Sequence, residues 1–156
     1  GCTTTSSARS SIDWSVLTVI GASFGLGRAL EQTGAAAAIS GAWLELAGGN
    51  PWLTLVALYV LTNVLTEVLT NNAAAVLAFP LAVAAADGLG VSLWPFVAVI
   101  MMAASAGFAT PIGYQTNLMV YGPGGYRFSD YLRIGLPLNV LVGAIAVALA
   151  PLVWPF

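Results

Sequence analysis

Hydrophobic positions along this chain are gathered into long blocks instead of alternating with polar ones. Five stretches carry no charge: Trp14–Gly27, Leu46–Thr66, Val68–Ala86, Gly88–Tyr126 and Ile134–Phe156. Several reach the roughly 20 residues that cross a hydrocarbon core. One such run could be the buried helix of a large soluble protein, but five in succession leave too little polar surface to enclose them.

The residues between and within the blocks set the elements. Asp13 is suited to cap a helix over Trp14–Leu30, which stops near Thr33-Gly34. A shorter helix over Ala35–Ala47 ends at Gly48-Gly49-Asn50-Pro51. The spacing then predicts a helix over Trp52–Leu69, a polar knot at Thr70-Asn71-Asn72, and a helix from Ala73 to about Ala86, closed by Asp87-Gly88-Leu89-Gly90. Leu93–Tyr121 is too long for one simple span and is broken inside by Thr110-Pro111-Ile112-Gly113-Tyr114-Gln115-Thr116-Asn117. After the turn Gly122-Pro123-Gly124-Gly125 comes a charged stretch, Tyr126–Arg133, and a last span, Ile134–Trp154, with Pro137 bending its start. The pattern is that of an all-α integral membrane fold with five to six helical segments. It contains a hairpin over residues 52–87 and a discontinuous helix over residues 93–121.

Composition reinforces this picture. Hydrophobic residues make up 59% of the 156 and charged ones 6%, against roughly 25% charged in soluble domains. The net charge of −2 and the absence of a basic stripe speak against nucleic acid. The single cysteine, Cys2, cannot form an internal disulfide. The polar opening, residues 1–11, lacks the basic and apolar regions of a signal peptide and is read as a flexible tail or linker remnant, leaving 12–156 as the membrane unit. In the first helix Gly21, Gly25 and Gly27 with Ala22 and Ser23 form a face small enough for a close-packed neighbour; their spacing is not that of a dinucleotide loop.

Hydrocarbon cannot satisfy free N–H and C=O groups, so broken backbone at membrane depth survives only beside protein or a water-filled cavity. Two such breaks are expected here. At Thr70-Asn71-Asn72, either Asn could simply cap the following helix. Alternatively the helix N-terminus faces an anion while carbonyl, hydroxyl and amide oxygens hold a small cation. At Thr110–Asn117, proline removes a donor and glycine relieves the geometry; a patched kink and a binding site both fit. Two broken elements meeting near the midplane would favour the site. Glu67 is the one carboxylate expected within a span, either as a functional group or as a side chain near the hairpin tip that reaches water or caps a neighbouring element. Asp13, Glu31, Glu45, Asp87 and Asp130 fall at element ends or in loops. With no His and no intramembrane pair of Asp, an enzyme is disfavoured. Arg28, Arg127 and Arg133 fall on the face opposite the open ends of the hairpin. That face is expected to be cytoplasmic and the C-terminus external.

Three stretches resemble the divalent anion:sodium symporters, a family of sulfate, dicarboxylate and citrate carriers within a larger group that also holds arsenite exporters. They are IDWSVLTVIGASFGLGRALEQTGA (Ile12–Ala35), TEVLTNNAAAVLAFPLAVA (Thr66–Ala84) and ASAGFATPIGYQTNLMVYGPGGYRFSDYLRIGLPLN (Ala104–Asn139). The family's hairpin-tip Ser-Asn-Thr signature corresponds to Thr70, Asn71 and Asn72, and its Thr-Pro pair to Thr110 and Pro111. The resemblance implies the C-terminal half of a two-half secondary transporter, with a companion N-terminal half and a homodimeric assembly in the plasma (inner) membrane. The implied cargo is a small anion such as sulfate, with sodium as coupling ion and no covalent cofactor. Di- or tricarboxylate symport, arsenite-type transport and a non-transporting sensing module are the alternatives. The substrate set so implied is Asn71, Asn72, Thr110, Pro111, Thr116 and Asn117, and the sodium set Thr70, Asn71, Asn72 and Gly113.

Overall fold

The computed structural model describes residues 4–10, isolated positions between 18 and 45, and 47–156 without interruption. Among the described residues there are six helices and no strand: α1 Thr5–Ser10, α2 Pro51–Thr66, α3 Asn71–Leu89, α4 Trp94–Ser105, α5 Gln115–Tyr121 and α6 Phe128–Val153. Within the polar opening, the Thr4 hydroxyl accepts from the Ser7 N–H at the start of α1. The helices expected over Trp14–Leu30 and Ala35–Ala47 fall in the intermittently described stretch, and Asp13, Ser23, Gly27 and Glu31 lie outside the described residues. The expected stop at Thr33-Gly34 is a turn, with Gly34 at φ +72. Gly21, Ala22 and Gly25 remain of the small-residue face, and a Cβ at either glycine would meet nothing within 4 Å.

The first break forms a hairpin. Asn50 opens α2 by accepting the Trp52 N–H on Oδ1 at 2.9 Å, with Pro51 in the first turn, where its missing N–H costs nothing. The helix ends at Thr66, short of the expected Leu69, with Glu67 as its C-cap. Neither Asn71 nor Asn72 caps the next helix, as the sequence had left open. Thr70 is the last extended residue (φ −71, ψ 151), and its hydroxyl accepts the Ala73 N–H, so both asparagines already lie in the first turn. α3 runs past Ala86 to Leu89, because Gly90 is the residue that turns left-handed, at φ +67.

The second break is also present, but lies earlier than the expected Thr110–Asn117, and Gln115, Thr116 and Asn117 are already helical. α4 ends at Ser105, the chain is irregular from 106 to 114, and α5 resumes at Gln115. Proline restricts its immediate predecessor and denies a donor to the carbonyl four residues before it, so Pro111 accounts for the free Gly107 carbonyl, taken up by Asn117, but not for an opening at Ala106. In contrast, the charged stretch Tyr126–Arg133 does not stand apart from the last span. Asp130 accepts the Arg127 N–H at 2.8 Å and starts one 26-residue helix, which continues through Pro137.

α4 is the centre of the packing: it touches α2, α3 and α6, while α2 also touches α3 and α6. Leu55, Leu58, Ala78, Ala82, Phe96 and Val99 are fully buried at these contacts. The Phe156 ring lies 5.8 Å from Trp52 and 6.1 Å from Phe96, so α2 and α4 start at the end where α6 finishes. Exposed Trp52, Trp94 and Trp154 mark that end; Tyr121 and Tyr126, each with its ring centre 6.0 Å from that of Tyr131, mark the other beside Arg127 and Arg133. Such aromatic rims suit the two interfaces of a bilayer. At 1.5 Å per residue α6 is about 39 Å long and α2 only about 24 Å, so α2 stops inside the thickness that α6 crosses. Much of the outer surface is apolar, including Ile134, Val140 and Leu152.

Candidate functional site

Unwinding residues 106–114 frees backbone groups that a helix would have paired, and the structure shows which atoms take them up. The Asn63 amide donates to the Ala106 carbonyl at 2.7 Å, and the Thr66 hydroxyl lies 2.6 Å from the Ala104 carbonyl. From the other side Asn117 Nδ2 reaches the Gly107 and Thr110 carbonyls at 2.9 and 3.2 Å. The Thr110 hydroxyl donates to the Glu67 carbonyl at 2.7 Å and accepts the Gly113 N–H at 3.0 Å. The two interruptions therefore close on one another, each supplying what the other's broken backbone lacks.

Glu67 is at the junction. It does not reach water: it is 8% exposed, and Oε1 accepts the Ala109 N–H at 2.9 Å and Asn139 Nδ2 at 2.8 Å. Its Oε2 is buried with no hydrogen-bond partner among the described residues. Gly113 packs against that oxygen. A Cβ there would sit 3.1 Å from Glu67 Oε2, 3.1 Å from the Thr66 carbonyl oxygen and 3.2 Å from Thr110 Oγ1. A side chain there would need these oxygens to give by a few tenths of an ångström, so glycine suits the close approach. Along α6, Asn139 has about 17 Å of helix before it and about 21 Å after it, which sets Glu67 and the unwound segment near mid-depth.

Of the residues singled out from sequence, Glu67, Asn71, Thr110, Gly113 and Asn117 share this network. Asn71 is half-buried with its amide 2.9 Å from the Thr66 hydroxyl. Pro111 is buried beside them; Asn72, Thr70 and Thr116 are exposed at the helix starts. Among the described residues no three His, Cys, Asp or Glu side chains group as metal ligands, so a cation here would be met by hydroxyl, amide and carbonyl oxygens.

Sequence reasoning missed Asn63, Thr66 and Asn139, which catch the loop or its carboxylate. Thr54 and Thr62 are equally buried but return their hydroxyls to their own helix, and nothing local distinguishes Thr66 from them. Asn139 did carry a signal: Gly135, Asn139 and Gly143 recur at the four-residue spacing of one helix face. A Cβ at Gly135 would land on the Phe108 carbonyl, and one at Gly143 would come within 2.5 Å of the Tyr59 ring. That face of α6 is pressed against both the unwound segment and α2.

The whole chain, residues 1–156, matches a family model described as citrate transporter. It is 39% identical over 156 residues to the uncharacterized transporter YfbS of Escherichia coli, covering 99% of this chain and 26% of that protein. It is 40% identical over 148 residues to the probable sodium/sulfate cotransporter 3 of Chlamydomonas reinhardtii, covering 94% of this chain and 16% of the relative. Identity to solute carrier family 13 member 2 of Rattus norvegicus is 29% over 143 residues, 90% of this chain and 24% of the relative. The chain therefore spans about a quarter or less of the length of these relatives.

Proposed function

The chain belongs to the citrate transporter family, and from that premise we propose that it supplies one half of the transport unit of a secondary carrier for small anions, with sulfate or a similar oxyanion as cargo and sodium as coupling ion. The observation that carries the reading is the meeting of two interrupted elements at mid-depth, Thr110 Oγ1 to the Glu67 carbonyl at 2.7 Å, in otherwise apolar surroundings. Interrupted helices presenting N–H groups and carbonyls to one point are the means by which a bilayer-spanning protein can bind ions.

On this reading the first turn of α3, with the N–H groups and amides of Asn71 and Asn72, faces the anion, since the first N–H groups of a helix have no partner within it. Thr110, held by the loop that Pro111 stiffens, faces it from the other break, with Thr116 and Asn117 at the start of α5. Sodium takes oxygens near Thr70, Asn71, Asn72 and Gly113. The companion half supplies the rest of the shell, and two copies of the carrier form a dimer with the C-terminus of this chain external. The sulfate assignment draws on relatives named as sodium/sulfate cotransporters at 38–40% identity. The family description, citrate transporter, favours a carboxylate as the second reading.

The test is uptake of labelled sulfate and labelled succinate by the full-length protein in liposomes, with and without an inward sodium gradient. Sulfate uptake that needs the gradient is the expected result. Succinate uptake in its place selects the second reading, gradient-independent uptake removes the coupling, and uptake of neither leaves a sensing role.

A further inference from the structure

Asn139 stands apart from the two breaks in sequence and has no place in the set of residues proposed to meet the cargo. It lies near the middle of α6, is 4% exposed, and is flanked by Gly135 and Gly143 on the face that packs inward. Its side chain does not serve its own helix. Nδ2 donates to Glu67 Oε1 at 2.8 Å, the oxygen that also holds the Ala109 N–H at 2.9 Å. Its Oδ1 is buried without a hydrogen-bond partner among the described residues. A side chain chosen only to fill this position would avoid that uncompensated acceptor, as leucine would. The feature that asparagine adds is the one donor aimed at Glu67.

The backbone of Asn139 is fixed as well. The Tyr59 hydroxyl donates to its carbonyl at 2.9 Å, and the Tyr59 ring packs where a Cβ on Gly143 would be. α2 thus sets the height of Asn139, Asn139 sets the Glu67 carboxyl, and the carboxyl holds the amide immediately before Thr110.

We propose that Asn139 is a positioning residue of the transport site: by fixing Glu67 it keeps the unwound segment at Ala109-Thr110 in the shape that presents Thr110, and it makes the last helix part of the site's support. This rests on the transport reading above and adds to it a dependence of cargo affinity on a residue that touches no cargo.

The experiment uses the full-length protein in liposomes and detergent. Asn139→Leu keeps the branching and the number of heavy atoms, in a bulkier side chain, and removes the donor; Asn139→Asp keeps the shape and replaces the donor by an acceptor. Val140→Ala, one residue along on the exposed side, is the control. Loss of one buried hydrogen bond predicts that the KM for sulfate rises by about 5- to 30-fold in both Asn139 variants, with kcat little changed and Val140→Ala like the unaltered protein. Amide exchange in the peptide carrying Ala109 should accelerate by a similar factor. If Asn139→Leu yields no folded protein, Asn139→Asp carries the test. A folded variant with unchanged KM and unchanged exchange at Ala109 overturns the proposal, as does a fall in kcat at constant KM. If the unaltered protein moves neither sulfate nor succinate, the transport reading fails by itself. Exchange at Ala109 then decides the positioning claim, and no acceleration overturns it.

Discussion

Replacing Thr110 by valine tests whether the two breaks support one another. Valine copies the shape of threonine but has no hydroxyl, so the Glu67 carbonyl loses its donor at 2.7 Å and the Gly113 N–H its acceptor at 3.0 Å. Both bonds are part-buried, so water replaces part of what is lost. A fully buried polar group left unpaired costs about 1–3 kcal/mol, so Thr110→Val should destabilise the full-length protein by about 2 kcal/mol, the lower end for two such groups. Thr110→Ser keeps the hydroxyl and gives up one methyl, about 0.8 kcal/mol. Equilibrium unfolding of the purified protein in detergent measures the difference, and uptake kinetics show whether affinity for the cargo follows it. A valine variant within about 1 kcal/mol of the serine variant would refute the reasoning, since the hydroxyl would then hold nothing that the fold needs.

Gly113→Ala puts a methyl at 3.1–3.2 Å from three oxygens; overpacking of this kind costs about 1–3 kcal/mol, and both stability and uptake should fall. Gly135→Ala is expected to be more severe, because its Cβ would meet the Phe108 carbonyl and lie 2.5 Å from the Ala109 Cα; folded yield in the membrane measures this against Leu136→Ala on the exposed side. Asn71→Ala should raise the KM for the anion about tenfold or more if its amide meets the cargo, and an unchanged KM removes it from the ligand set. For orientation, single cysteines are placed at Trp154 and Gly124 in the full-length protein with its native cysteines, Cys2 among them, changed to Ser. The first should react with an impermeant maleimide added outside intact cells and the second only after permeabilisation; the reverse pattern inverts the assignment.

The membrane character and both interruptions were legible because they are local. Run length, Gly48-Gly49-Asn50-Pro51, the asparagine pair and Thr110-Pro111 each act on backbone within a few residues. What was not legible depends on partners distant in sequence. α4 ends at Ser105 because Thr66, Asn63 and Asn117 are in place to take the released carbonyls of Ala104, Ala106 and Gly107. No signal near Ala106 records that. The cap at Thr70 instead of Asn71 or Asn72 is a smaller miss with the same origin. Both asparagines are good caps by propensity, but Asn71 is engaged with Thr66, and Thr70 takes the turn. Glu67 could be identified as unusual from its setting, yet its partners Ala109 and Asn139 lie 42 and 72 residues away.

Thr66 also constrains what Asn71 can offer. Its hydroxyl lies 2.6 Å from the Ala104 carbonyl and 2.9 Å from Asn71 Oδ1, yet it has one proton, and both neighbours as placed are acceptors. The shorter contact to a fixed backbone oxygen takes the proton. The contact to Asn71 is then favourable only with that amide turned over, so that Nδ2 donates to the Thr66 lone pair, an assignment that heavy-atom positions do not distinguish. In that arrangement Asn71 presents its oxygen to the opening and suits a cation. If the proton instead moves to Asn71, the amide presents N–H groups and suits an anion, while the Ala104 carbonyl gives up its donor. The role proposed for Asn71 toward either charge is therefore weighted, through a single threonine proton, by the end of the broken helix, while its second N–H and second lone pair leave the other contact open.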